Sequence, residues 1–496
     1  FEELFLYLES NGLYQRKVKA RQLFIHIMNM HLKKGMPFIL FIDAINRKSN
    51  QLTYTDKTLT KLTPDSGMIH TSNLCTEIVQ ITNQKEIASC NLASLVLNKC
   101  IKKIKGRFVM DYERLEYATR NLVRNLDNVI DRNKYPESIP EILYANNLRR
   151  PIGIGVQGLA DLFALLDIAW VNDRHEESAT QSREEGDRPS IEALTLNSHI
   201  FETMYYASLT ESCNLAKERG AYPSFKGSPA SFGYLQQDLW KKHLPKTSVN
   251  HDDEFIQIPN RYSDEEWSKL RQNIMEHGLR HSLIISLMPT VSSAPILGNN
   301  DCFEAFPALI YAKSNLSGQF NIINKYMVHD LKKIGLWTVE NHKNIIHSII
   351  SSGGSLKNYA PENITQEHRN EIEARLTFLK RKYLTNFEIP QTQVMARLAV
   401  DRGKWICQTQ SMNCYLEKPN FDQIWKWLHF LWRNGAKTGL YYLRQQPPAN
   451  PVGFALENIK GSTEKSNKRK RSTKQVEANN KKSKISIPEE CISCAS

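Results

Sequence analysis

Nowhere in the 496 residues is there a run of about 18 consecutive apolar side chains, so no membrane-spanning helix is expected. Cysteine is scarce as well. The chain has nine, odd in number and scattered, which excludes the dense disulfide framework of a small secreted domain and points to a reducing, cytoplasmic setting. The opening FEELFLYLES has no initiator Met, no basic n-region and no cleavage site, so no signal peptide is expected and the chain reads as starting inside a domain. No internal repeat is found. What is there, with 41% hydrophobic residues, is a globular protein long enough for roughly two to four domain-sized units or one large α/β barrel.

Positive charge is in excess, but unevenly. Of the net +13, residues 460–485 supply +8, from ten Lys or Arg against Glu464 and Glu477; residues 486–496 contribute −2, leaving +7 for residues 1–459. The globular part is therefore only mildly basic, and a dedicated nucleic-acid surface is not expected on it. KRKR at Lys468–Arg471 reads as a solvated linker or, alternatively, as an import or nucleic-acid patch. From Asn458 onward apolar periodicity stops, so residues 458–496 are expected to form a flexible tail behind a mixed domain at 1–457.

Within that domain, DYERLEYATRNLVRNLDNVIDRN predicts a helix capped by Asp111, with Leu115, Ala118, Leu122, Leu126, Val129 and Ile130 on one apolar face and Pro136 beyond its end. IFETMYYASLTESCNLAKERG predicts a second, closed by Gly220. The β-like runs MPFILFI, SLIISLMP and GLYYLR lie between such helices, and this alternation argues an α/β fold. Polar inserts at Leu52–Pro64 and Asn172–Pro189 read as surface loops.

Several short stretches carry chemistry. In SNLCTEIV, Asn73, Cys75 and Glu77 are spaced by two, so an extended segment would put an amide, a thiol and a carboxylate on one face. In such a set the amide can orient a hydroxyl, the carboxylate can take a proton and the thiol can be a nucleophile, a ligand or a one-electron carrier, although a buried core cysteine is the plainer alternative. Cys90, in ASCNLASL, has the same two readings. GIGVQG at Gly153–Gly158 matches a dinucleotide fingerprint, but NNLRRP precedes it instead of a buried strand, so close packing at a helix start is expected. MPTVSSAPILGNN places Thr290, Val291, Ser292 and Ser293 before an apparent helix with Pro295 in its first turn, which suits either an anion site or ordinary serine capping.

Tyr441 and Tyr442 sit together in a β-like run, where packing on opposite faces is the plainer reading. Cys491 and Cys494 form a terminal C-x-x-C with no second such pair or His pair nearby, so a redox pair is expected and a structural zinc is not. The 40 residues from Pro451 to Cys491 give that pair a reach of about 35 Å as a flexible linker.

Taken in order, NRKSNQ, SNLCTEIV, CNLASL, RPIGIGVQGLAD, MPT followed by ILGNN, KTGLYYLR, PPANP and the terminal C-x-x-C resemble the large, catalytic subunit of class I ribonucleoside-diphosphate reductases. The resemblance implies most of a ten-stranded α/β barrel with a central finger loop, plus the flexible C-terminal tail. It also implies roles. Cys75 would become a thiyl radical that takes the 3′ hydrogen of a ribose, Glu77 would remove the 3′-hydroxyl proton and Asn73 would hold the substrate hydroxyl. Cys90 would be half of the redox pair that reduces the 2′ position, with its partner upstream of Phe1. Thr290, Val291, Ser292 and Ser293 would bind the substrate phosphates, Tyr441 and Tyr442 would relay the radical, and Cys491 and Cys494 would re-reduce the active site. The chain departs from the family in carrying Pro295 in place of Gln and Asp301 in place of Glu.

The same resemblance implies no cofactor bound by this chain, since the radical would come from a metal-containing small subunit. ATP and deoxynucleotide effectors would bind a family segment N-terminal to this sequence. Implied partners are the small subunit, thioredoxin or glutaredoxin, ribonucleoside diphosphates and a second copy of the complete subunit. A different class of function stays open: an inactive homologue that keeps the fold and serves as an interaction protein for the small subunit. Nucleic-acid binding through the basic tail is a third.

Overall fold

A computed structural model describes residues 2–172, 188–244, 258–315, 318–361 and 368–446. The tail at 458–496, with Cys491 and Cys494, and most of the insert at 172–189 lie outside the described residues.

Helix Tyr112–Arg132 forms where its cap and periodicity place it. The Asp111 side chain accepts the Arg114 amide at 3.1 Å, and Leu115, Thr119, Val123, Leu126, Asp127 and Ile130 are buried. Ala118 and Leu122 pack against the core at its margin, but Val129, expected inside, is 43% exposed. With Leu126 and Ile130 both turned inward, Val129 falls outside the stripe. This helix packs on Ile191–Arg219, which is capped by the Ser190 hydroxyl and ends at Gly220.

A buried ion cluster locks the two helices to their surroundings. The fully buried Asp127 accepts from Arg150 at 2.5 Å, Arg219 at 2.7 Å and Arg280 at 3.1 Å, with His281 Nε2 at 3.3 Å. Burial alone would raise the pKa of this carboxyl, but His281 and Arg150 outweigh it and hold the group well below the usual carboxylate range. Asp127→Ala would take their shared counter-charge from the buried Arg150, the partly buried Arg280 and the more exposed Arg219. A stability loss of about 3–5 kcal/mol is expected, read from the denaturant midpoint.

The strands, in chain order, are β1 (Ile39–Leu40), β2 (Asn91–Val96), β3 (Ile101–Ile104), β4 (Arg107–Met110), β5 (Ile152–Gln157), β6 (Ile310–Asn315), β7 (Gly318–Ile323), β8 (Cys414–Leu416), β9 (Thr438–Leu440) and β10 (Leu443–Gln445). They pair two by two: β2 with β5 and β8 with β10 in parallel, β1 with β9, β3 with β4 and β6 with β7 antiparallel. Two extended segments join these pairs into an arc. Ser286 donates its amide to Ile154 of β5 at 3.1 Å, and an Ile154–Ile285 bridge adds to it; Leu287 bridges Gln410 and donates to Thr409 at 3.0 Å. Tyr441 then donates to Met412 at 2.7 Å. The order is thus β2, β5, 283–288, 408–416, 438–445 and β1. Among the described residues these pairings do not close into a ring of ten strands. Of the β-like runs, SLIISLMP is held by isolated bridges, and MPFILFI yields only β1 before helix Ile42–Arg47 begins.

The first five residues of GIGVQG lie in β5, which is buried at all six of its positions, Ile152–Gln157. Only Gly158, with φ +77°, stands at a helix start, before Leu159–Leu166. A Cβ on Gly153 would come within 2.4 Å of Leu92, and one on Gly155 within 2.5 Å of the Met288 sulfur, so the glycines serve close strand packing. The Leu52–Pro64 insert is more than a surface loop. Leu52, Tyr54 and Leu59 are buried with Ile45, Ile69, Val79, Ile81 and Leu239 in a small second core, and Tyr54 bridges Leu62.

Candidate active site

The segment around Cys75 is held against the middle of the arc by backbone carbonyls. The Glu77 carbonyl accepts from the Thr409 amide at 3.2 Å and the Ser286 hydroxyl at 2.8 Å, and the Cys75 carbonyl accepts from the Ser411 hydroxyl at 2.5 Å. Asn73, Cys75 and Glu77 are brought together, but not by strand alternation. The segment turns here: the Thr76 amide donates to Asn73 at 3.1 Å, and Thr76 takes φ +67°, a left-handed conformation that a β-branched residue rarely adopts. The turn lets Asn73 Nδ2 donate to Glu77 Oε1 at 2.8 Å while Asn73 Oδ1 accepts the Ile78 amide at 3.1 Å. Ser411 donates to Glu77 Oε2 at 3.2 Å. Burial pushes the Glu77 carboxyl above the ordinary range, and hydrogen bonds from the backbone, Asn73 and Ser411 offset part of that rise.

Cys75 is half-buried, with its sulfur 3.5 Å from the Tyr441 hydroxyl. Tyr441 and Tyr442 do not face opposite ways. The chain leaves its strand geometry between β9 and β10, so the two rings pack with centroids 4.3 Å apart, and Phe38 sits 5.0 Å from each. Arg444 lies over the outer face of Tyr442 at 4.6 Å. A line runs from Tyr442 through Tyr441 to the Cys75 sulfur.

Cys90 precedes β2 on the same arc, and its sulfur accepts from Gln408 Nε2 at 3.6 Å. Gly153 makes room for it, since a Cβ there would stand 3.3 Å from the sulfur. Burial of the thiol pushes its pKa up to about 12, Gln408 and Gln80 counter part of the rise, and the charges of Glu77 and Cys407 add to it. This thiol stays protonated at neutral pH.

The loop from Thr290 to Ser293 departs from expectation in part. Helix Ser293–Ile296 is a single short turn, and the Ser292 side chain does not cap it. Thr290 is buried, with both its amide (2.6 Å) and its hydroxyl (2.5 Å) on Asp301 Oδ1, while its hydroxyl accepts the Cys302 amide at 2.8 Å. Asp301, shorter than the residue the resemblance leads one to expect there, therefore fastens the loop. Ser293 accepts from Gln157 Nε2 at 3.3 Å, and Val291 points outward.

Sequence reasoning missed Ser411, Gln408 and Phe38. The polar alternation in CQTQSMN, with Gln408 and Gln410 two apart, is a signal that could have drawn attention to the first two. Among the described residues, no group of three or more His, Cys, Asp or Glu could hold a metal ion, seven cysteines are free, and no helix is long and apolar enough to cross a membrane.

A model of the ribonucleotide reductase barrel domain matches residues 1–185 and 188–442. The ribonucleoside-diphosphate reductase large subunit of Danio rerio is 36% identical over 498 residues, covering all of this chain and 54% of that protein. The Vaccinia virus large subunit is 38% identical over 461 residues, 93% of this chain and 50% of that protein. This chain thus spans about half the length of the curated relatives it matches. In structure it is similar to the class Id ribonucleotide reductase alpha subunit of Actinobacillus ureae, with a TM-score of 0.57 at 22% identity over 86% of this chain and 61% of that one, a likeness of fold. With the family match running through nearly the whole mixed domain, the chain belongs to the ribonucleotide reductase barrel-domain family.

Proposed function

We propose that this chain is the catalytic part of a class I ribonucleoside-diphosphate reductase, and that its arc of extended segments belongs to a ten-stranded barrel with the Cys75 turn as its finger loop. The observation that carries this reading is the 3.5 Å contact between the Tyr441 hydroxyl and the Cys75 sulfur, continued outward by the Tyr442 ring. A hydrogen atom passing from Cys75 to an oxidised Tyr441 restores the phenol and leaves a thiyl radical. That radical takes the 3′ hydrogen of a bound ribose, while Glu77, two residues away, accepts the 3′-hydroxyl proton and Asn73 holds the hydroxyl. A base raised by burial towards neutrality is well matched to that proton. Cys90, protonated and half-buried, supplies one of two hydrogens as the 2′-hydroxyl leaves as water.

Thr290 to Ser293 would hold the diphosphate through the loop that Asp301 braces, with Thr290 acting by shaping it. The oxidising equivalent would come from a metal-containing small subunit. Cys491 and Cys494 would carry electrons from thioredoxin or glutaredoxin. The complete protein would work as a cytoplasmic homodimer, with nucleotide effectors bound outside the residues matched here.

The test is deoxyribonucleotide formation by the complete polypeptide with its small subunit and thioredoxin. Changing Cys491 and Cys494 together to Ser should stop multiple turnover while sparing the first turnover of pre-reduced enzyme, because Cys90 and its partner thiol already hold two electrons. Equal steady-state rates would remove the tail from the mechanism.

Glu77 also predicts a pH profile. It acts as a base only when ionised, so activity should rise with pH through its raised pKa and fall below it. Ser411→Ala removes a bond that favours the ionised form, so the acidic limb should move up by as much as about one pH unit. A limb that stays in place in that variant would assign it to another group.

A further inference from the structure

Tyr415 lies beside the tyrosine line without belonging to it. It sits on β8 directly opposite Arg444 of β10, and Arg444 holds its guanidinium 4.6 Å from the Tyr442 ring centre. Opposite residues of paired strands share a face, so Tyr442, Arg444 and Tyr415 line one side, joined by Asn413 two residues before Tyr415. Glu304 covers this face. Its Oε2 accepts from the Tyr415 hydroxyl at 2.5 Å and its Oε1 from Asn413 Nδ2 at 2.6 Å. A phenol bonded so closely to a buried carboxylate has a proton acceptor already in place. On its other side Tyr415 lines a groove of about 860 Å³ with Gln391, Glu417 and Lys418. It is thus one side chain from the line and in contact with a groove that a solute can enter.

We propose that Tyr415 is a third oxidisable tyrosine, a side branch by which an oxidising equivalent on Tyr442 leaves the line towards the groove, with Glu304 taking its proton. This rests on the relay reading of Tyr441 and Tyr442. In the step, an electron passes from Tyr415 to the Tyr442 radical while the Tyr415 hydroxyl proton moves to Glu304. The products are a neutral Tyr415 radical, a neutral Glu304 carboxylic acid and a Tyr442 phenolate beside the Arg444 guanidinium. The negative charge has moved from Glu304 to Tyr442, and the phenolate regains a proton from solvent. A small water-soluble one-electron reductant in the groove then returns an electron to Tyr415, and Glu304 returns the proton.

The branch needs Glu304 ionised. Burial pushes its pKa up to about 7; Tyr415 of β8, Asn413 just before that strand and Arg444 of β10 pull it down, and Asp301 of its own turn raises it further. The buried Arg402, of helix Arg397–Gly403, also interacts with it, as does the buried Cys302 thiol next to Asp301. The branch therefore opens as pH rises through neutrality.

The test places 3-aminotyrosine, a nearly isosteric radical trap, at position 442 or 415 of the full chain assembled with a radical-bearing small subunit and a ribonucleoside diphosphate. Electron paramagnetic resonance is expected to show an aminotyrosyl signal at both positions. The signal at 415 should grow between about pH 6 and pH 8, vanish with Tyr442→Phe, and fall at least about threefold with Glu304→Gln, which leaves the 442 signal unchanged. A signal at 442 with none at 415 overturns the branch, as does a 415 signal that survives Tyr442→Phe. A 415 signal indifferent to Glu304→Gln removes Glu304 as the acceptor and overturns the step as written. No signal at either position overturns the relay reading, and this inference with it.

Discussion

Cys75→Ser in the complete enzyme is expected to lose turnover by roughly four orders of magnitude or more, with folding and diphosphate binding nearly intact. The reason lies in the bond being broken. A sulfur–hydrogen bond is weak enough for a tyrosyl radical to break, whereas the oxygen–hydrogen bond of serine is far stronger than the phenol bond formed in exchange. The substitution is otherwise mild. The bonds that hold the turn run through the carbonyls of Cys75 and Glu77 to Ser411, Thr409 and Ser286, and a serine keeps them all. Its thermal midpoint should correspond to a loss within about 1 kcal/mol. Product formation by this variant, measured with the small subunit present, would sink the assignment of Cys75. An unfolded variant would instead show that Cys75 is chiefly a core residue.

Tyr441→Phe is expected to be nearly as damaging, with turnover falling by roughly three orders of magnitude or more while small-subunit affinity is unchanged. The ring keeps its packing against Phe38 at 5.0 Å and Tyr442 at 4.3 Å, so shape is preserved. Only the hydroxyl that reaches Cys75 at 3.5 Å is removed. Phenylalanine cannot be oxidised at the potentials a tyrosine reaches, so the line is cut one step before the thiol. Steady-state rates beside a binding titration separate the two effects. Normal turnover would return Tyr441 to a packing role, and weakened subunit binding would show that the hydroxyl supports the interface.

What the sequence by itself determined is local, or linear in its order. The Asp111 cap and the apolar stripe of 112–132 are properties of neighbouring residues, so they were legible, and only Val129, at the edge of the stripe, was misplaced. The succession of motifs from SNLCTEIV to KTGLYYLR was equally legible and carried the family. The geometry of the site was not. The spacing of Asn73, Cys75 and Glu77 suggested strand alternation, yet a left-handed Thr76 groups them through a turn, because the segment is anchored by carbonyls to two extended segments distant in sequence. Likewise GIGVQG was read as close packing at a helix start, yet only Gly158 stands there; Gly153 and Gly155 lie in β5, where β2 and Met288 approach too closely for any side chain. Cys75 and Tyr441 are 366 positions apart, and Cys90 and Gln408 are 318 apart. No local preference encodes such contacts; they follow from the order in which extended segments lie side by side in the arc, which is settled when the core packs, and only there does the tyrosine line meet the thiol.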